Sequence, residues 1–257
     1  MKSIFAATVV FGFLNIASSQ AADDAKLPSD AQNPVESFGN IYTASTVYEF
    51  PSISSNIGIS STLGGKYAFD PRDNSLGFQL DGNVEYSLTN SNLIWAQGTG
   101  HVTKTINQDS KIGAFAGIDK TRTASLGFEA LTTLSNTTWV QGQVAILDAT
   151  QTSSIGYGAG ASVHQRLGGN WNLRGDLAYN NWPTAGVSAF GAEAAVLYTF
   201  DTAPVSIGLS GGYNYLTAAN LGLGEYLASL KVQYSFGGPS DGARGKLFRT
   251  NVLGLTP

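Results

Sequence analysis

The strongest constraint on this chain is a long stretch in which apolar and polar residues alternate without interruption. Between residues 76 and 88, Leu, Phe, Val and Tyr occupy even-numbered positions, while Gln, Asp, Asn and Glu occupy odd-numbered ones. Because successive side chains of a strand point to opposite faces, one face of this stretch is apolar and the other polar. Strands of soluble sheets are usually about five or six residues long, whereas this one is long enough to cross a bilayer at a tilt of roughly 45°. The pattern therefore predicts a membrane-spanning strand.

The ionisable residues of the other predicted strands test this assignment, because the two faces were defined by the apolar residues. Lys104 falls on the apolar face of its strand, but it lies at the strand end, where a long side chain can reach the headgroups. A Lys or Arg facing lipid at mid-depth costs about 2 to 4 kcal/mol, which explains why charges avoid the apolar face. Ten residues fall on the polar face, where they either form cross-strand ion pairs that brace the wall or line an aqueous lumen. These lumen-lining candidates are Lys66, Asp81, Glu85, Glu129, His164, Arg166, Arg174, Asp176, Glu193 and Lys231.

The same parity applied along the chain predicts an all-β fold, a transmembrane antiparallel up-and-down β-barrel of about twelve strands. Ten strands remain as an alternative, because the first predicted strand has a poorly defined apolar face. Both ends of the wall are expected in the periplasm, with longer links on the other side at 148–153, 181–188 and 216–224. The predicted strands are 39–48, 57–69, 76–88, 93–104, 111–118, 125–134, 137–147, 154–167, 170–180, 189–200, 205–215 and 225–236.

The first residues have the layout of a secretory signal peptide. Lys2 precedes an apolar run, and small residues around Ala21 mark a cleavage site. The run is shorter than the roughly 20 residues that a spanning helix needs, which disfavours an uncleaved anchor. The predicted division is a signal peptide at 1–21, an irregular lead at 22–38, the barrel at 39–236 and a basic tail at 237–257. The lead either stays in the periplasm or folds into the lumen as a plug, and the tail is expected to lie outside the wall in solvent.

Composition narrows the function classes. The chain has no cysteine, which rules out disulfides and thiolate metal sites, and its two histidines are far apart without clustered carboxylates. Charged residues make up 12% of the sequence, against roughly 25% in a typical soluble domain. No basic patch lies outside the last residues, which argues against nucleic acid as a partner. We expect no metal and no cofactor.

The last predicted strand resembles the closing strand of proteobacterial outer-membrane β-barrel proteins, whose assembly signal ends in aromatic, any residue, aromatic. Tyr234, Ser235 and Phe236 match this ending, whereas Lys231 replaces the usual glycine and the chain continues beyond the aromatic. The Phe-Gly-Gly-Pro stretch from Phe236 and the basic tail resemble an uncharacterised alphaproteobacterial group of barrels. The resemblance implies a small porin-like barrel in the cell outer membrane, in contact with lipid, lipopolysaccharide and the outer-membrane assembly machinery.

Three functions are weighed for such a barrel. The small residues and mixed charges of the polar face favour a narrow porin-like channel for passive diffusion of small hydrophilic solutes. A structural or adhesive surface barrel without an open pore is the first alternative. An outer-membrane lipid hydrolase is the second, because Ser162 and His164 share a face, as do His101 and Thr103. Two positions on a strand are about 6.6 to 6.8 Å apart, which makes such pairs poor catalytic partners, so we expect no enzyme.

Overall fold

The computed structural model describes residues 35–49, 57–71, 76–89, 94–149, 153–218, 221–237 and 246–249. The predicted signal peptide and residues 22–34 of the predicted lead lie outside these ranges. Within them, no helix has the length and hydrophobicity needed to cross a membrane.

Twelve strands form one closed sheet in which each strand pairs antiparallel with its neighbours in sequence. One 3₁₀ turn, Pro183–Ala185, lies between two of them. The predicted up-and-down barrel of twelve strands is confirmed, and the ten-strand alternative is wrong. The strands are β1 (Val35–Glu49), β2 (Ile57–Pro71), β3 (Gly77–Ser87), β4 (Ile94–Thr105), β5 (Ser110–Ile118), β6 (Thr123–Ser135), β7 (Thr138–Ala149), β8 (Ser154–Gly168), β9 (Trp171–Trp182), β10 (Val187–Thr199), β11 (Val205–Ala218) and β12 (Leu221–Phe236).

The barrel is closed by β1 and β12, whose register runs from Gly39 opposite Phe236 to Glu49 opposite Tyr226. β1 begins at Val35, earlier than the predicted residue 39, and it pairs with β2 along its whole length. The strand with the weakest sequence pattern is therefore held by hydrogen bonds on both sides. Closure leaves no edge strand, and in a hydrocarbon environment every backbone amide in the wall needs such a partner.

The links between strands lie at two rims. We call the rim where β1 begins and β12 ends the terminal rim, and the other the distal rim. The predicted distal link at 216–224 is wrong, because β11 extends to Ala218 and β12 starts at Leu221. The link predicted at 181–188 is also shorter, since β9 continues to Trp182 and β10 starts at Val187. Residues that were assigned to loops because of their turn-like composition are therefore paired in strands.

The two faces of the wall differ as the alternation predicts. In β3, for example, Leu80 is 56% exposed on the outside, whereas its neighbour Gln79 is 1% exposed on the inside. Large apolar side chains cover the outer face of every strand pair from Ile57 to Leu230. Such a surface is unfavourable in water and suits a lipid environment.

Glycines on the inner face make room for large aromatic side chains. A Cβ placed on Gly127 would lie 2.6 Å from Cζ of Phe115, and one on Gly156 would lie 2.7 Å from Cδ1 of Trp182. Carbon atoms do not approach this closely without a shift of the structure. The absence of a side chain at these positions therefore lets the two rings lie flat against the wall.

We expect Gly156→Ala to destabilise the barrel by about 1 to 3 kcal/mol, because the added methyl group overpacks the contact with Trp182. Urea unfolding of the protein in lipid vesicles, followed by tryptophan fluorescence, measures the change. Gly142→Ala is the matched control, since its Cβ would meet nothing nearer than an oxygen of Gly160 at 4.0 Å. Equal unfolding midpoints for the two variants would contradict the packing role of Gly156.

Candidate functional site: the barrel lumen

The inner face of the wall holds most of the ten candidate residues in two clusters. The first cluster spans β2, β3, β4 and β6. Lys66 and Asp81 are direct partners across β2 and β3, and their Nζ and Oδ2 atoms are 3.0 Å apart. Nε2 of His101 lies 3.7 Å from the same Asp81 oxygen, and its Nδ1 lies 2.6 Å from Oε1 of Glu129. A chain of alternating acid and base thus crosses four strands.

The second cluster lies on β9 and β10. Asp176 and Glu193 are directly opposite each other across the two strands. Like charges in this position repel, so a cation is needed between them. Arg174 supplies it: its Nε donates to Oδ2 of Asp176 over 2.8 Å, and its Nη2 donates to Glu193.

The remaining candidates are placed separately. Nζ of Lys231 lies over the ring of Tyr42, 4.0 Å from its centre, and His164 stacks on Trp139 with ring centres 4.8 Å apart. Glu85 pairs at 3.2 Å with Lys120, which lies in the link between β5 and β6. Arg166 is exposed close to the turn between β8 and β9. That these side chains line a conducting path remains a prediction.

Sequence reasoning missed an ion pair that is among the most deeply buried groups of the barrel. Lys111 at the start of β5 and Asp70 at the end of β2 are 1% and 2% exposed, and their Nζ and Oδ2 atoms are 2.8 Å apart. The parity of β5 does place Lys111 on the inner face. Its partner Asp70 was assigned to a turn after β2, so the ion pair was not predicted.

One side of the lumen is filled by apolar residues. Phe115, Leu147 and Trp182 are buried together with small residues of β7 and β10, and Trp182 is fully buried. Space remains on the other side of the lumen, beside Gly, Ala and Ser residues of β1, β10, β11 and β12. The inner face is thus less uniformly polar than its charges alone indicated.

A charged cavity of about 320 Å³ occupies that open side. It reaches the distal rim, since Lys120 belongs to a link there, and Arg249 of the tail is among the residues that line it. Its lining carries five cations and three carboxylates: Lys66, Lys120, Arg174, Lys231 and Arg249 against Glu85, Asp176 and Glu193. The formal charge of the lining is therefore positive by two.

The tail was predicted to lie outside the wall, and this prediction is wrong for residues 246–249. Residues 246–249 are inside the barrel, and Phe248 is fully buried. Nε of Arg249 lies 3.0 Å from Oδ1 of Asp176, an ion pair without the alignment of a hydrogen bond. Nη2 of Arg249 is 3.6 Å from Oε1 of Glu193. The basic tail is thus matched to carboxylates of the second cluster.

The pairs considered for hydrolysis do not form catalytic contacts. Oγ of Ser162 is buried without a hydrogen-bond partner among the described residues, and His164 stacks on Trp139 instead. His101 bonds to Glu129. A serine or threonine nucleophile needs the imidazole within hydrogen-bond reach, so this geometry gives the hydrolase alternative no support.

Across the described ranges, no group of three or more His, Cys, Asp or Glu side chains is arranged to hold a metal ion.

The sequence matches no protein-family model and no curated protein. The fold, in contrast, is similar to solved channel structures. The NanC porin matches with a TM-score of 0.53 at 8% identity over 74% of this chain and 98% of NanC. The KdgM porin matches with a TM-score of 0.51 at 10% identity over 76% and 99%. An outer-membrane channel from Pseudomonas putida F1 matches with a TM-score of 0.50 at 13% identity over 82% and 100%. At these identities the likeness establishes a porin-like barrel fold.

Proposed function

We propose that this protein is an outer-membrane channel for passive diffusion of small hydrophilic solutes. The observation that carries the proposal is the cavity of about 320 Å³, which is lined by charges and enters a closed barrel from the distal rim. Most of these ionisable side chains form ion pairs across strands, and the cavity leaves space beside them. The porin fold of the solved relatives supports this assignment.

The charge of the lining favours anions among these solutes. The five cations of the lining include Lys66, which Asp81 outside the lining neutralises, but no carboxylate of the described chain lies within ion-pair distance of Lys231. Rings of basic side chains select anions in narrow pores. Small carboxylated or phosphorylated solutes therefore fit the cavity better than cations do.

The outer membrane is the location that the apolar outer face and the porin fold support. Lipid and lipopolysaccharide would contact that face. The aromatic ending of β12, Tyr234 and Phe236, would be the segment that the assembly machinery recognises. Cleavage of residues 1–21 would accompany export.

The structural or adhesive alternative is kept because the apolar cluster around Trp182 and the tail segment fill much of the lumen. A barrel closed in this way permanently would carry no flux. The alternative and the channel differ in what happens when the tail is absent.

Planar bilayer recording separates the two functions. We expect discrete conductance steps from a barrel that spans residues 35–237, because it lacks residues 246–249, which fill part of the lumen. Heat-modifiable mobility in electrophoresis checks that the shortened barrel is folded. Folded protein that conducts at no applied voltage would overturn the channel proposal in favour of the structural barrel.

A further inference from the structure

Residues 246–249 occupy the lumen without forming part of its wall. The twelve strands close through β1 and β12 without the segment. Its hydrogen bonds go to side chains of the wall. The barrel is therefore complete without the segment, which can leave without breaking the sheet.

Two glutamine side chains bind the main chain of this segment. Nε2 of Gln79 on β3 donates to the carbonyl of Phe248 over 2.8 Å, and the N–H of Phe248 donates to Oε1 of Gln79 over 2.8 Å. Gln141 on β7 makes the same two contacts with Arg249, at 3.2 and 2.8 Å. Each amide thus satisfies both backbone groups of one residue, as a neighbouring strand does. The site recognises two consecutive residues of an extended peptide.

The side chains of these two residues are also matched by the wall. The ring of Phe248 is parallel to the His101 imidazole, with centres 6.2 Å apart, and Nζ of Lys111 lies 5.7 Å from its centre. Nζ of Lys66 donates to the Phe248 carbonyl over 2.9 Å. Arg249 faces the carboxylates of Asp176 and Glu193. An aromatic residue followed by a basic one satisfies both halves of the site.

A third contact lies beside these two. Nζ of Lys246 is placed over the Trp139 ring, 4.3 Å from its centre. The segment is therefore held through its backbone, an aromatic ring and two cations. Contacts of so many kinds, from β2, β3, β4, β5, β7, β9 and β10, characterise a built binding site.

We propose that the lumen contains a docking site for an extended aromatic–basic peptide, and that the chain's own residues 246–249 occupy it as a removable plug that closes the channel. The closing role rests on the proposed channel function, whereas the docking site does not. Arg249 of the segment is one of the side chains that line the cavity. Release of the segment removes one cation from the cavity and opens the path to the terminal rim.

The binding arm of the test uses the barrel that ends at Gly237 and a labelled synthetic peptide of residues 243–253, with fluorescence anisotropy as the readout. A tethered segment acts at an effective concentration on the order of millimolar, so the free peptide is titrated into that range. We expect saturable binding to the shortened barrel and none to the full chain, whose site is occupied. A peptide carrying Phe248→Ala and Arg249→Gln should bind at least about tenfold more weakly, and a scramble of the same composition should do so too.

The conductance arm compares the full chain, the shortened barrel and the full chain carrying Phe248→Ala with Arg249→Gln. A docking equilibrium of about ten to one lowers mean conductance about tenfold, so the full chain should conduct least and both altered forms more. Leu247→Ala is the matched control, because it removes apolar volume from the same segment and leaves Phe248 and Arg249 in place. Peptide added to each chamber in turn should close the shortened barrel from at least one side.

The outcomes distinguish this inference from the function on which its closing role rests. Equal conductance of all forms, with no peptide binding, overturns the plug and leaves the channel standing. If no form conducts, the channel function is overturned, while fluorescence anisotropy still decides whether the docking site exists. Equal binding of the native and scrambled peptides overturns the docking site. The doubly substituted full chain keeps the test valid if the shortened barrel fails to fold.

Discussion

Lys111→Met is expected to destabilise the folded barrel by about 3 to 5 kcal/mol, because it leaves the buried carboxylate of Asp70 without its cation. The two side chains are 1% and 2% exposed, so water cannot replace the lost partner. Oγ1 of Thr105, 3.5 Å from Oδ2 of Asp70, is too distant to compensate. Unfolding in urea from lipid vesicles, followed by the fluorescence of the four tryptophans, measures the loss.

Two further variants separate the pair from a general effect of removing lysine. Asp70→Asn combined with Lys111→Met should recover most of the stability, since no unpaired charge remains buried. Lys104→Met removes the same charge from an exposed position on β4 and should change the free energy of unfolding by less than about 0.5 kcal/mol. A single Lys111 variant as stable as the Lys104 variant would show that the pair does not hold β2 and β5 together.

The barrel itself was predictable because its physics is local. Each strand must turn apolar side chains to lipid at every second position, so the alternation located the strands and left only the first of them in doubt. It placed Lys66 and Asp81 on one face, and the cross-strand register then brought them together. Strand ends were harder, because residues such as Trp182 and Asp70 have turn-rich neighbours, yet pairing with the adjacent strand keeps them extended.

The contents of the lumen were not predictable in the same way. Phe248 contacts Gln79 across 169 positions of sequence, and Arg249 contacts Gln141 across 108. Four residues of a tail carry no periodicity, and their basic character favoured a position in solvent. The role of the two glutamines was not predictable either, because an inward-facing glutamine is compatible with any polar face. Only the closed geometry brings these groups within bonding distance.

The charge of the cavity is the property through which the wall would act on solutes in the proposed channel. Arg174 and Lys66 are neutralised by carboxylates at 2.8 and 3.0 Å, so they contribute little net field. Lys231 lies instead over the ring of Tyr42 and faces the cavity. In the barrel that ends at Gly237, Arg249 is absent, and Lys231 remains a basic side chain of the lining with no carboxylate of the described residues at ion-pair distance.

Lys231→Glu in that shortened barrel is therefore expected to lower the ratio of anion to cation permeability by about tenfold. A unit charge at 4 Å in water is worth about 1 kcal/mol, the substitution changes two units, and salt screens part of the effect. Reversal potentials in a potassium chloride gradient across a planar bilayer measure the ratio. Lys104→Glu makes the same change of charge on the outer face of β4 and should leave the reversal potential unchanged, because hydrocarbon and wall separate it from the path. A reversal potential that moves equally in both variants, or in neither, would show that Lys231 does not face the conducting path.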